Sequence, residues 1–343
     1  MIPHYHLPVV GILASLAGHA LCSPFRQPGI ALDKRAEQLA LNHDFPDPSI
    51  EQDWDGTWYA FSTSNKPNGN FNIQVAKASS PDGPWTLLNQ DALPNSGSWT
   101  TGVDVWAPDV KRMPPSSSGI YIMTYSGELA SNSAHHCIGI ATSHSIAGPY
   151  TPQDGPVVCP DVATTGGAID SYLYYDEPNN KRYLVYKIDG TGLDAGACPN
   201  VSPPYQPTPI MLQEMNVNDW ITPIGNPVQI LDRADEDGPL IEAPAIIRSP
   251  DNHYLLFYSS HCYDSVDYDV KYAVADSITG PYTRKGSLLS SGQFGLTSPG
   301  GATPTPGGDV LLFHANCALG LPTLTRCLHT IDLTISGQTV AFA

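Results

Sequence analysis

Charge is scarce in this sequence, and positive charge scarcest. Of 343 residues only 14% are charged, with 16 Lys and Arg against 33 Asp and Glu, for a formal net charge of -17. A surface of that sign repels phosphate backbones and anionic lipid, so neither nucleic acid nor a membrane is expected as a partner. No segment keeps a helical apolar period beyond about two turns. No cysteines stand at the short paired spacing of a zinc site. Long apolar runs are missing as well. The stretch from Leu7 to Leu21 is too short for a bilayer span and lies where a secretory leader has its apolar core, so residues 1–22 read as a signal peptide rather than an anchor.

What is abundant is punctuation: 30 Gly and 33 Pro, between short aromatic clusters such as YLYY and YLLFY. Many short strands joined by turns have this profile. Asp33-Lys34-Arg35 resembles a propeptide-processing site, which puts the mature start near Ala36 and leaves residues 36–343 as one domain. Cys22 leaves with the leader. The six remaining cysteines suit three disulfides in an oxidising compartment. Cys317 with Cys327 and Cys137 with Cys159 are expected on adjacent strands, leaving Cys198 with Cys262. Asn200-Val201-Ser202 is a glycosylation sequon and marks a surface loop.

The chain repeats itself. DGTWYAFSTS, SGIYIMTYSG, NKRYLVYKIDG, DNHYLLFYSS and GGDVLLFHAN each pair a turn with an aromatic-rich strand, and their starts are 63, 62, 71 and 56 residues apart. A weaker element, SSPDGPWT, SHSIAGPYT and DSITGPYT, follows three of them and reads as a turn between outer strands. A third element precedes each: FPDPSI, WAPDV, GAIDSYLYY, IEAPAII and SPGGATP. Radial repetition of units this long predicts an all-β, five-bladed β-propeller, since the blades protect one another's sheet edges. A β-sandwich does not explain the period. Pro48, Pro108 and Pro244 suit the innermost strands, which are edges facing the channel. The last repeat is short, and residues 36–43 are available to complete it.

In four repeats the third element carries an acid. Asp47, Asp109, Asp170 and Glu242 lie 12, 12, 13 and 12 residues ahead of Tyr59, Tyr121, Tyr183 and Tyr254, which predicts a ring of carboxylates on the axis. Such a ring suits glycosidic cleavage, which needs one protonated group for the departing oxygen and one ionised group for the attacking water. Burial and mutual repulsion separate the two pKa values. Asp44 is a competitor for Asp47 but reads as a turn cap. Asp170 reads as structural. Asp235, Glu236 and Asp237 read as an exposed turn. Trp106 is the candidate sugar platform, while His314 and Arg326 are candidates to hydrogen-bond sugar hydroxyls.

FPDPSI, WAPDV, AID and IEAP, in this order, resemble the signatures of glycoside hydrolase family 43 over roughly residues 42–335. The resemblance implies Asp47 as general base, Glu242 as general acid and Asp109 as the third carboxylate, which orients the acid and raises its pKa. It implies inversion in one displacement with no consumed cofactor. Many members hold a calcium or sodium ion on the axis with a His in the fifth inner strand. Here Gly301 stands at that place, and no bound metal is expected, although the acids could still ligate calcium. The expected activity is cleavage of α-L-arabinofuranosyl linkages in a secreted monomer. The alternatives are a β-xylosidase and a non-catalytic carbohydrate-binding propeller.

Overall fold

A computed structural model describes residues 37–66, 69–113, 119–193, 198, 202–317 and 325–343, together with Met1 and Pro3. The leader, the Lys34-Arg35 site and most of the sequon lie outside the described residues. Met1–Arg35 and Ala36–Ala343 are separate units, and the second holds the fold.

That unit is a five-bladed β-propeller. Strand β1, Glu37–Asp44, comes before the first blade. Blade I is β2 Ser49–Gln52, β3 Trp58–Ser62, β4 Gln74–Ala78 and β5 Thr86–Leu87. Blade II is β6 Thr100–Arg112, β7 Tyr121–Leu129, β8 Asn132–Ser143 and β9 Thr151–Pro152. Blade III is β10 Ala168–Asp176, β11 Lys181–Ile188, β12 Ile210–Met215 and β13 Pro223–Leu231. Blade IV is β14 Ile241–Arg248, β15 Tyr254–Ser260, β16 Asp269–Ala275 and β17 Thr283–Leu289. In these four blades the strands pair antiparallel in sequence order.

Blade V runs β18 Gly300–Pro304, β19 Val310–Asn316 and β20 Arg326–Ser336, then takes β1 as its outer strand. The short final repeat is thus completed from the other end of the chain, with Glu37 opposite Ile331 and Asp44 opposite Cys327. Strand β21, Thr339–Phe342, pairs with the end of β20.

The second and third strands, as in blade IV, read as nearly continuous apolar runs because both their faces are covered by neighbouring blades, which removes the usual inside-outside alternation, whereas outer strands such as β13 and β17 are largely exposed. Tyr254–Ser260 is buried along its whole length. Five apolar clusters fill the five gaps between blades. Phe61, Val75, Val110 and Met123 join blades I and II, and Ile138, Leu173 and Leu184 join II and III. Tyr172, Leu212, Ile246 and Leu256 join III and IV; Phe257, Val270, Leu311 and Phe313 join IV and V; Ile50, Ala60, Val310 and Leu312 join V and I. Truncating one of these aromatics, such as Phe257, to Ala costs about 3–5 kcal/mol.

The GPW and GPY turns lie between the third and fourth strands of blades I, II and IV, as their repetition predicts. Each tucks its aromatic under the turn. Trp85 Nε1 donates to the Pro81 carbonyl at 3.2 Å, Tyr150 OH to that of Ile146 at 2.9 Å and Tyr282 OH to that of Ile278 at 3.2 Å. The three disulfides join Cys137–Cys159, Cys198–Cys262 and Cys317–Cys327, the pairing expected from the sequence.

Candidate active site

Every inner strand bends at one residue where it meets the channel. Asp47, Ala107, Asp170 and Ala243 adopt left-handed backbone (φ 52°, 42°, 57° and 49°), as does Gly301 in blade V (φ 57°). An L residue gives up about 1–2 kcal/mol in that region, so the bend has to be held. It is held by its own amide. The Ala107 N–H donates to Thr63 Oγ1 at 2.9 Å, that of Asp170 to Ser126 Oγ at 3.1 Å, and that of Gly301 to Ser259 Oγ at 2.9 Å. The Asp47 N–H donates to His314 Nδ1 at 3.0 Å. Each acceptor comes from the second hairpin strand of the preceding blade or just beyond it, so the ties run round the ring. Blade IV departs from the pattern: the Ala243 N–H donates to Asp170 Oδ2 at 3.0 Å.

Aligned on these bends, the four acids do not occupy one place. Asp47 and Asp170 are bent residues themselves, Glu242 precedes a bend by one residue and Asp109 follows one by two. The equal counts to the aromatics arise because the hairpins differ in length and the register slips at the bends of blades II to V, as between Trp106 and Asp109 or Glu242 and Ala245. The bends surround an axial pocket of about 30 Å³, walled by residues that include Asp47, Asp109, Asp170 and Gly301. That volume holds a water or two, so a sugar has to sit at its mouth. The side chains of Asp47 and Glu242 reach the surface there, 21% and 14% exposed.

Asp47 is built to be an anion. Its Oδ1 lies 3.1 Å from Arg326 Nη1, and its Oδ2 accepts from Thr63 Oγ1 at 2.7 Å. Because Thr63 Oγ1 already accepts the Ala107 amide, its proton is free to point at Asp47. Burial alone would raise the Asp47 pKa, but Arg326 and these hydrogen bonds outweigh it and lower it. His314 is wholly buried, and burial followed by the Arg326 charge lowers its pKa to about 3. It therefore helps Asp47 as a neutral acceptor of its amide, not as a charge. The expectation that His314 meets a sugar hydroxyl is corrected, since its ring is sealed. Arg326 remains partly exposed beneath the ring of Tyr263, 4.9 Å away.

The opposite wall has other chemistry. Glu242 Oε1 accepts from Tyr268 OH at 2.7 Å, and Oε2 lies 3.1 Å from Lys187 Nζ. Asp170 lies beside them, its pKa pushed up to about 8 by burial first and by the Glu242 charge second; Lys187 opposes the shift and Asp47 adds to it. Asp109, the carboxylate expected to partner Glu242, turns elsewhere. Its side chain is 2% exposed, with Oδ1 2.6 Å from Lys111 Nζ and Oδ2 accepting the Leu173 amide at 2.7 Å, and it braces blade II against blade III. The residue facing Glu242 is Asp170, which the sequence reading had set aside.

Trp106 lies partly exposed and stacked on His136, with ring centroids 3.6 Å apart. Asp44 takes no part in the site: its Oδ1 accepts the Arg326 amide at 2.9 Å. Asp235 and Glu236 are exposed, as the reading of an acidic turn expected, but Asp237 is corrected: it is fully buried, 2.9 Å from Lys271 and 3.3 Å from Arg284. Lys187, Tyr268, Thr63 and Tyr263 were not foreseen; they arrive from neighbouring strands and loops.

A histidine at the place of Gly301 does not fit this structure. A Cβ on Gly301 would lie 2.6 Å from the His314 ring and 3.2 Å from Asp47 Oδ1, so no side chain has room at that position. The nearest carboxylates are engaged by Arg326, Lys111 and backbone amides. Among the described residues the one group with metal-ligand spacing is Cys198, Cys262 and Asp264, whose cysteines form a disulfide.

The sequence profile of glycosyl hydrolases family 43 matches residues 41–336. A probable arabinan endo-1,5-alpha-L-arabinosidase A of Aspergillus flavus is 34% identical over 145 residues, 41% of this chain and 40% of that protein, so the chain spans about two-fifths of that relative's length. The extracellular endo-alpha-(1->5)-L-arabinanase 1 of Bacillus subtilis is 27% identical over 294 residues, 80% of this chain and 81% of that protein. Among solved structures, a thermostable family-43 glycoside hydrolase superposes with a TM-score of 0.71 at 24% identity, covering 87% of this chain and 92% of that one.

Proposed function

The chain belongs to glycosyl hydrolase family 43, and from that premise we propose that it is a secreted, inverting hydrolase of α-L-arabinofuranosyl linkages in arabinan. The observation that carries the reading is the division of the site into two electrostatic halves, an anion held by Arg326 and a proton-holding pair facing it. Asp47 takes a proton from water as the water oxygen bonds to the anomeric carbon. Glu242 gives its proton to the glycosidic oxygen as the bond from that carbon breaks. Asp170 keeps the shared proton on the acid's side of the channel, the role the sequence had suggested for Asp109. Trp106, Tyr263 and Arg326 supply two ring faces and a donor at the mouth. Three disulfides and a Bacillus relative named as extracellular support secretion. The arabinan substrate rests on the names of the Aspergillus and Bacillus relatives.

The test uses purified protein with debranched arabinan, read by product size, beside 4-nitrophenyl α-L-arabinofuranoside and 4-nitrophenyl β-D-xyloside. Arabinan cleavage supports the proposal, with oligomer or monomer products separating endo from exo action. Preference for the xyloside replaces the substrate assignment. Folded protein inert on all three leaves a carbohydrate-binding role.

A further inference from the structure

Blade III breaks the rule that the other blades follow. Thr63, Ser126, Ser259 and His314 each spend their side chain on the next blade's bent amide. Lys187 holds the matching position in blade III, opposite Ile169 as Ser259 is opposite Glu242. It binds no amide. Asp170 has taken over that tie, and the lysine reaches Glu242 instead.

Lys187 is 1% exposed, and its ammonium lies between Glu242 Oε2 at 3.1 Å and Asp189 Oδ1 at 3.2 Å. An unpaired ammonium does not survive such burial in charged form. Here Asp189, Glu242 and Asp170 more than offset the burial, and the lysine stays charged. Asp189 is fixed in turn, accepting Thr191 Oγ1 at 2.7 Å. The other titratable groups facing this array include Tyr268 and Tyr263 beside Glu242, Asp47 across from Asp170, and His136 beside Asp189, which burial holds neutral with a pKa of about 4.

On the hydrolase reading above, Glu242 becomes an anion at the moment it gives up its proton. We propose that Lys187 acts through Glu242 as a positioning residue, receiving the negative charge that develops on Oε2 as the proton passes to the departing sugar oxygen, with Asp189 holding the ammonium in place. A fixed charge aimed at where charge develops stabilises that transition state without reorganisation. Removing the ammonium leaves that charge unanswered, and removing Asp189 leaves the ammonium to Glu242 and Asp170 alone.

The experiment compares wild type, Lys187→Met and Asp189→Asn on aryl α-L-arabinofuranosides carrying 4-methoxyphenol, which must be protonated to leave, and 2,4-dinitrophenol, which need not be. We expect Lys187→Met to lose about 10²-fold in kcat on the first and only a few-fold on the second, in keeping with the usual worth of general acid catalysis. Its basic limb in kcat/KM should move to higher pH. Asp189→Asn leaves the lysine with one anionic partner fewer, and its basic limb should move to lower pH. Equal losses on both leaving groups with an unmoved limb would make Lys187 merely structural and overturn the proposal. Should Lys187→Met not fold, the Asp189→Asn limb decides alone: downward supports, unmoved overturns. Wild type inactive on both glycosides moves the pH-limb comparison to debranched arabinan, and inactivity there as well overturns the hydrolase reading itself, and this proposal with it.

Discussion

The two walls of the channel mouth are made by the same repeat and do opposite things. On the wall of blades V and I, one carboxylate meets a guanidinium, a threonine hydroxyl and a neutral imidazole that supports its backbone; everything there favours the ion. On the wall of blades III and IV, Glu242, Asp170 and Asp189 crowd round a single ammonium, and one proton is held well above the usual carboxylate range. The bend itself is common to both. What differs is the side chain at the tie position of the preceding blade: a neutral imidazole that accepts the Asp47 amide on one wall, and on the other a lysine that leaves the Ala243 amide to Asp170 and reaches Glu242.

Replacing either working carboxylate abolishes that contrast and should have the largest effect. Glu242→Gln and Asp47→Asn are each expected to lower kcat about 10²–10⁴-fold with an unchanged circular dichroism spectrum. Arg326→Met removes the charge that separates the walls. Activity is lost as pH falls through the Asp47 pKa, so raising that pKa should move the acidic limb of kcat/KM upward by about one unit or more. Asp170→Asn should sharpen the contrast in stability while spoiling activity. A carboxyl whose folded pKa lies above its unfolded value weakens the fold as pH rises from about 4 to about 8. The variant's gain in Tm should therefore be near zero at pH 4 and roughly 2–5 °C at pH 8, by scanning calorimetry, with kcat at least about tenfold lower. Ser126→Ala, which frees one bent amide on the ring, should cost only about 1 kcal/mol in urea unfolding.

The blades were legible because each is one hairpin turn plus one aromatic strand, and aromatic runs such as YLLFY are required wherever both faces of a strand are covered. Two disulfides were legible because their cysteines lie close together along the chain, and Cys198–Cys262 followed by elimination. Asp47 and Glu242 stand at the channel mouth where their motifs put them, whereas Asp109 turns away from Glu242 and Asp170 faces it, for a definable reason. Counting back from Tyr121 and Tyr183 assumes an unbroken pleat, and the inner strands of blades II to V slip register at their bends. Counting from the bent residue instead, marked by the dipeptides Asp47-Pro48, Ala107-Pro108, Asp170-Ser171, Ala243-Pro244 and Gly301-Ala302, puts Asp170 level with Asp47 and moves Asp109 into the gap between blades. Lys187 gave a weaker signal, a charge near the end of an otherwise apolar strand. Whether it met a partner or water depended on the next blade, and no local pattern states that.

Blade V borrows its outer strand from residues 37–44, and this has a consequence for how the molecule comes into being. The four blades before it are each built from neighbouring segments and have their own strands as soon as those segments are made. Strand β1 has to wait for residues 327–331, which follow all four other blades in the chain. Such a long-range pairing is slow to find, and until it forms both β1 and the rim of β20 are bare strand edges, open to pairing with other chains. The end of folding is thus its most exposed interval, and the step that closes the ring is also the one that brings Asp44 against the Arg326 backbone, so a chain still open at this seam has not yet set the arginine that makes Asp47 an anion.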